Sequence, residues 1–144
     1  MALGIGKKRS LEEFQLLIAD CVQVGTRSIH FIVDDEVEDT DIPLLIRFAH
    51  RLDCSTEVVL SGKGVTSEVA RRLLLSGVDW VWMLFGGVSA AVHVDTVGIS
   101  IEESTQSLQN VSQQRRELEL QNVRVGLLLP WRKETPAQST AIKS

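Results

Sequence analysis

Residues 56–98, TEVVLSGKGVTSEVARRLLLSGVDWVWMLFGGVSAAVHVDTVG, constrain the fold more than any other part of this chain. They open on a β-branched apolar run (residues 56–61) that ends in Gly62-Lys63-Gly64. Val69, Ala70, Leu73 and Leu74 then recur at the three-and-four spacing of a helix with one buried stripe, and Gly77 closes it. A second apolar run, DWVWML at 79–84, follows, and Phe85-Gly86-Gly87 turns the chain into a short helical segment through Ala91 and His93. Strand, helix and strand in that order form the crossover unit of a parallel sheet.

The flanking sequence repeats the rhythm. Ser10-Leu11-Glu12-Glu13 is a capping box, and Leu11, Phe14, Leu17, Ile18, Cys21 and Val22 fall on one helical face that ends at Gly25. SIHFIV at 28–33 reads as a strand. Asp41 then caps a helix with Pro43 in its first turn and a buried stripe of Ile42, Leu45, Ile46, Ala49 and Leu52. A polar helix over 101–118 leads to a last strand at 122–129. Residues 1–9 read as a flexible N-terminus, 10–131 as the folded domain and 132–144 as a loose tail.

The expected class is α/β, with parallel strands alternating with helices. An open doubly wound sheet and part of a TIM-type barrel both fit this order, and strands so apolar suit a sheet covered on both faces. A complete eightfold barrel needs about 250 residues; 144 residues with about four βα units make a half barrel. Its exposed sheet edges call for self-association or another protein chain to cover them.

Composition excludes several roles. A net charge of −4 gives no basic field for nucleic acid or an anionic membrane, and Lys7, Lys8 and Arg9 are too few to reverse that. No apolar run approaches the ~20 residues that cross a bilayer. The first ten residues lack a signal-peptide core, and two isolated thiols, Cys21 and Cys54, read as reduced, so the expected location is cytoplasmic. No C-x-x-C spacing provides a local zinc or iron–sulfur chelate.

Val58-Val59-Leu60-Ser61-Gly62-Lys63-Gly64, followed by the helix that closes on Gly77-Val78-Asp79, resembles a segment of the radical S-adenosylmethionine enzymes. Their strand ends in a Ser/Thr–Asn/Gly turn, and the next helix closes on L-x-x-A-G-V-D. Trp82-Met83-Leu84-Phe85-Gly86-Gly87, with Ser89, His93, Val97 and Gly98 downstream, is similar to the family's next strand and turn. The likeness runs from about Ser10 to Pro130. It implies a partial (β/α) barrel and S-adenosylmethionine as a possible ligand. On that resemblance Glu36, Ser61, Gly62, Lys63, Gly64 and Gly86 are the cofactor-binding candidates.

The departures from the family carry equal weight. Its [4Fe–4S] cluster sits on a C-x-x-x-C-x-x-C loop that should precede the Ser10 helix, where this chain has MALGIGKKR. Cys21 and Cys54, 33 residues apart, cannot replace that loop, so no cluster is expected in this chain alone. Where the family carries G-G-E-P, the chain has Asp34-Asp35-Glu36-Val37. Glu36 matches, but charged side chains replace the glycines that let backbone approach a ligand.

Asp34, Asp35, Glu36, Glu38, Asp39 and Asp41 place six carboxylates in eight residues beyond a strand end. Asp34 and Asp35 are candidate Mg²⁺ or Ca²⁺ ligands, against a solvated acidic loop or a surface for a basic partner. Gly62-Lys63-Gly64 could cradle an anion or ribose, or simply turn the chain. His30 reads as a hydrogen-bonded interior residue, His50 as helix surface, and His93 has no evident Ser, Cys or carboxylate partner for a triad. Trp80 and Trp82 share a strand face, which suits packing. Arg71-Arg72 and Arg115-Arg116 read as exposed helix faces.

The expected function is that of a degenerate radical-SAM-like domain acting as a non-catalytic binding module. The alternative is a fragment of a radical S-adenosylmethionine enzyme whose cluster-binding first strand is supplied elsewhere. A metal-dependent activity of the acidic loop is a third reading.

Overall fold

The computed structural model describes residues 1–5, 9–33, 37, 40–87 and 89–129. Among them the order is β1 (Ala2–Ile5), α1 (Leu11–Gln23), β2 (Ser28–Val33), α2 (Ile42–Arg51), β3 (Ser55–Leu60), α3 (Ser67–Leu74), β4 (Trp80–Leu84), α4 (Ala90–Val97), α5 (Ile101–Glu117) and β5 (Arg124–Leu128). Local chemistry sets the helix starts. Ser10, Thr66, Ser89 and Ser100 each accept a backbone N–H three residues on, at 3.1 to 3.2 Å. Asp41 departs from expectation: it stands at the N-cap of α2, but its side chain makes no capping bond. Pro43, in the first turn, starts that helix at a position where its missing N–H is harmless.

β1 is a second departure. Part of the segment expected to be flexible pairs in parallel with β2, from Ala2 opposite His30 to Ile5 opposite Val33. The Met1 ammonium donates to Ser28 O at 2.9 Å, and Leu3 and Ile5 are buried. The run ALGI is short and contains glycine, so period-two hydrophobicity barely registers in it.

All five strands are parallel and lie in the order β1-β2-β3-β4-β5. A doubly wound sheet reverses its strand order at a switch point, and this sheet never does. Right-handed crossovers in one unbroken direction lay every helix on the same face. α1 accordingly packs on α2, α2 on α3, and α3 on α5. The architecture is that of a partial α/β barrel.

The strand alternation follows from this arrangement. Ile29, Phe31, Val33, Val58, Leu60, Val81 and Met83 are buried under the helices, against Ile18, Ile42, Leu45, Ile46, Ala70 and Leu73. Among the described residues the opposite face has no helix over it, where a sheet covered on both sides was expected. β3 and β4 are apolar on both faces for another reason: the uncovered face carries its own apolar row.

That face is layered by the pairing register. One row runs Ala2, His30, Glu57, Trp80, Arg124; the next runs Gly4, Ile32, Val59, Trp82, Gly126. Leu84 pairs with Leu128 above them. In the first row His30 Nε2 lies 3.0 Å from a Glu57 carboxylate oxygen, and the Arg124 guanidinium lies 5.1 Å from the Trp80 ring centroid. His30 is thus a half-exposed partner of Glu57 on the uncovered face rather than an interior residue. Trp80 and Trp82 stack with centroids 4.4 Å apart and planes 12° from parallel.

Gly126 makes the stack possible, because a Cβ there would lie 2.7 Å from Trp82 Cζ3 and 3.3 Å from Trp80 Nε1. Gly126→Ala is expected to push the rings off the sheet, shift tryptophan emission to the red and lower stability by about 2 kcal/mol. Unchanged emission and an unchanged urea midpoint would refute this packing role.

Candidate functional site

Loops at the C-terminal ends of barrel-type strands are where ligands bind in this class of fold. Here the β3–α3 loop carries Ser61, Gly62, Lys63 and Gly64, and the β4–α4 loop carries Gly86. Asp34, Asp35 and Glu36 lie outside the described residues, and the metal and glutamate readings of the acidic run lie there with them. Among the described residues no group of three or more His, Cys, Asp or Glu side chains is placed to hold a metal ion.

The two glycine loops come together over one face of α5. That face buries Ser104, Ser107, Val111 and Gln114, an unusually polar set for a helix–loop contact. Ser107 Oγ donates to Gly62 O, and Asn110 Nδ2 donates to Val65 O at 2.9 Å. Lys63 N donates to Ser61 Oγ at 3.3 Å. Gly62 and Gly64 adopt left-handed φ values of +99° and +71°, conformations that favour glycine. A Cβ on Gly62 would lie 3.2 Å from Ile99 Cδ1 and from Met83 Sδ, and 3.3 Å from Ser104 Cα. The space beside this glycine is thus filled by the protein's own atoms.

Gly86 is held more tightly still. A Cβ there would lie 2.6 Å from Thr96 Cβ and 3.0 Å from the Cα and carbonyl oxygen of His93. Its N–H donates to His93 Nδ1 at 3.2 Å. On the other side of the ring, His93 Nε2 lies 2.8 Å from Ser104 Oγ, and the Phe85 ring packs edge-on with centroids 5.2 Å apart. His93 and Ser104 are both buried.

A serine beside a histidine raises the question of a nucleophile and its base. The hydrogen bonds answer it. Nδ1 accepts an N–H, so a neutral ring carries its proton on Nε2 and donates it to Ser104. A base that activates serine needs the opposite tautomer, with Nδ1–H held by a carboxylate. Neither group has room for a substrate beside it, and burial lowers the His93 pKa, only partly opposed by the Glu102 carboxylate. The pair is a buried strut joining the β4–α4 loop to α5.

His93 has no evident partner in the sequence because Ser104 lies 11 residues on, in the next helix. The signal available was a helix rich in Ser and Gln with Val111 as its one buried apolar residue. Arg115 is likewise no plain surface residue. It folds back so that its Nε donates to Val123 O and its Nη2 to Gln121 O, the latter at 3.4 Å.

The donor set does not fit an iron–sulfur cluster. Cys21 is half-buried in α1; Cys54 is buried, its Sγ 3.9 Å from the carbonyl oxygens of Thr26 and Leu52. The link after β1 (residues 6–9) contains no thiol. No helix among the described residues is long and apolar enough to cross a membrane. No family model matches the chain, and no curated protein matches it significantly.

Proposed function

We propose that this chain is a non-catalytic protein-binding module built on a shortened radical-SAM-like half barrel. The uncovered sheet face carries the reading. Ile32, Val59, Trp82, Leu84 and Leu128 sit on a surface that a closed barrel would fill with side chains from its remaining strands. Ile32 and Leu128 are 38% and 37% exposed, and contiguous apolar surface of this kind marks a contact with another protein chain. The closed packing around Gly62, Gly86 and His93 supports the non-catalytic half of the proposal, as does β1, which holds the place beside β2 that the cluster-bearing strand of the resembled family would take.

A second reading draws on the same face. A sheet with a layered inner surface and a free last edge is what a barrel interrupted after its fifth strand leaves. The chain would then be a fragment of a radical S-adenosylmethionine enzyme, with the cluster loop and further strands on another polypeptide. Ser61, Lys63 and Gly64 would face the nucleoside.

Anaerobic reconstitution with iron and sulfide separates the two. The chain is expected to retain no more iron than its Cys21→Ser/Cys54→Ser variant, and calorimetry with S-adenosylmethionine is expected to show no heat of binding. A stable cluster that cleaves the sulfonium compound would falsify the non-catalytic reading.

A further inference from the structure

A groove of about 670 Å³ lies between β5 and α5, along the edge of β5 with which no other described strand pairs. Leu108 and Ser112 form its helical wall, Val125 and Leu127 its strand wall, and Trp80 and Gly126 line its inner end. Arg115, Arg116 and Arg124 surround it, and among the described residues no carboxylate lines it. In a chain of net charge −4, three guanidinium groups around one groove are a local reversal of sign.

The strand's hydrogen bonding gives the groove its direction. In a parallel ladder both backbone groups of one residue point to the same side, and successive residues alternate. Arg124 N donates to Asp79 O, and Leu128 O accepts from Phe85 N, so Arg124, Gly126 and Leu128 face β4. Val125 and Leu127 therefore turn their N–H and C=O groups to the outer edge, away from β4 and into the groove. Val123 turns outward as well, and Arg115 caps its carbonyl. The open ladder thus begins at Val125, beside the guanidinium of Arg124.

We infer that this groove receives an extended acidic segment of another protein chain, which adds to β5 as a sixth strand. The inference rests on the binding-module reading and names the chemistry of its partner. Backbone pairing with Val125 and Leu127 supplies affinity independent of sequence, and alternate side chains supply specificity. The set on the helix side packs on Leu108 and Leu127, below Arg116; the set on the uncovered face brings carboxylates to Arg124, and both arginines are exposed. Arginine suits this role because its planar fork matches a carboxylate. A basic segment would meet like charge throughout.

The test uses the full chain and a fluorescein-labelled peptide of about ten residues, alternating valine and glutamate, with a valine–lysine peptide as control. Fluorescence anisotropy is expected to show binding of the glutamate peptide alone, weakening as salt is raised. Arg124→Glu is expected to weaken it by about tenfold or more, and Arg116→Glu, which acts from the helix side through the field of the groove alone, by less. Leu127→Pro removes an outward N–H while sparing the β4 ladder, so it is expected to abolish binding with little change in thermal midpoint.

Equal binding of both peptides, or of neither, overturns the acidic-segment assignment. So does a concentration-dependent dimer, seen by ultracentrifugation, that Leu127→Pro dissolves, since the edge would then belong to a second copy. If the peptide fails and reconstitution also yields no cluster, the occupant is wrong and the non-catalytic reading stands.

Discussion

His93→Ala is expected to lower the unfolding free energy by about 4 kcal/mol. Truncation leaves a cavity where the imidazole touched Phe85. It also strands two buried groups: the Gly86 N–H loses its acceptor, and Ser104 Oγ loses its donor. Ser104→Ala keeps the ring and the Gly86 bond, so about 1 kcal/mol is expected there. Urea unfolding of both variants, followed by circular dichroism, measures the difference. Equal and small losses would mean that the ring is not the strut described.

The same residue gives the fold a pH dependence with a definite sign. Burial lowers its folded-state pKa below the ordinary 6.5. The unfolded chain therefore takes up this proton first as pH falls, and stability falls with it. The contribution is complete above about pH 6.5 and is lost as pH descends through the folded value, with a slope of at most about 1.4 kcal/mol per pH unit. A protonated ring would also present an N–H to the Gly86 N–H, turning a bond into a repulsion. His93→Gln should remove this part of the slope, and an identical profile in the variant would assign the acid sensitivity to other groups.

Gly86→Ala ranks next, with an expected loss of about 3 kcal/mol. The added methyl would press on Thr96 Cβ and on the backbone of His93, at 2.6 and 3.0 Å. Backbone in the first turns of α4 cannot rotate aside as a surface side chain can, so relief requires moving the helix. That movement breaks the His93 contact, which links this prediction to the first. Gly98→Ala is the contrast: nothing lies within 4 Å of a Cβ there, so only its left-handed φ of +88° opposes the change. Loss of less than about 1 kcal/mol in Gly86→Ala would show that the β4–α4 loop accommodates bulk.

Much of the fold was legible in the residues. The stripe Val69, Ala70, Leu73 and Leu74 is wholly buried, as its spacing requires. Ile42, Leu45, Ile46 and Ala49 behave alike in α2. The parallel class followed from the alternation of strands and helices, because a crossover between parallel strands needs a helix's length of chain. The uncovered face was not legible: an apolar residue that faces solvent and one that faces a helix read identically along β3 and β4. Pairing order alone separates them, and order is a property of the assembled sheet.

The candidate site was legible only as loops. Glycines at 62, 64 and 86 were visible; what fills the space beside Gly62 and Gly86 depends on α4 and α5, elements with no periodic link to the loops in sequence. Asp41 shows the limit at short range, since a good capping residue at the right position leaves the bond unmade. The arginine groove was hidden for a simpler reason. Arg115, Arg116 and Arg124 lie on two elements that meet only after β5 joins the sheet.

Because every strand sits beside its immediate predecessor, no step of assembly has to wait for a distant part of the polypeptide. Each ring closure spans one crossover, so its entropic penalty grows little from unit to unit. The molecule can therefore be laid down in the direction in which a ribosome delivers it. In that direction β1 and β2 would close first, and each newcomer would dock on a template already in place.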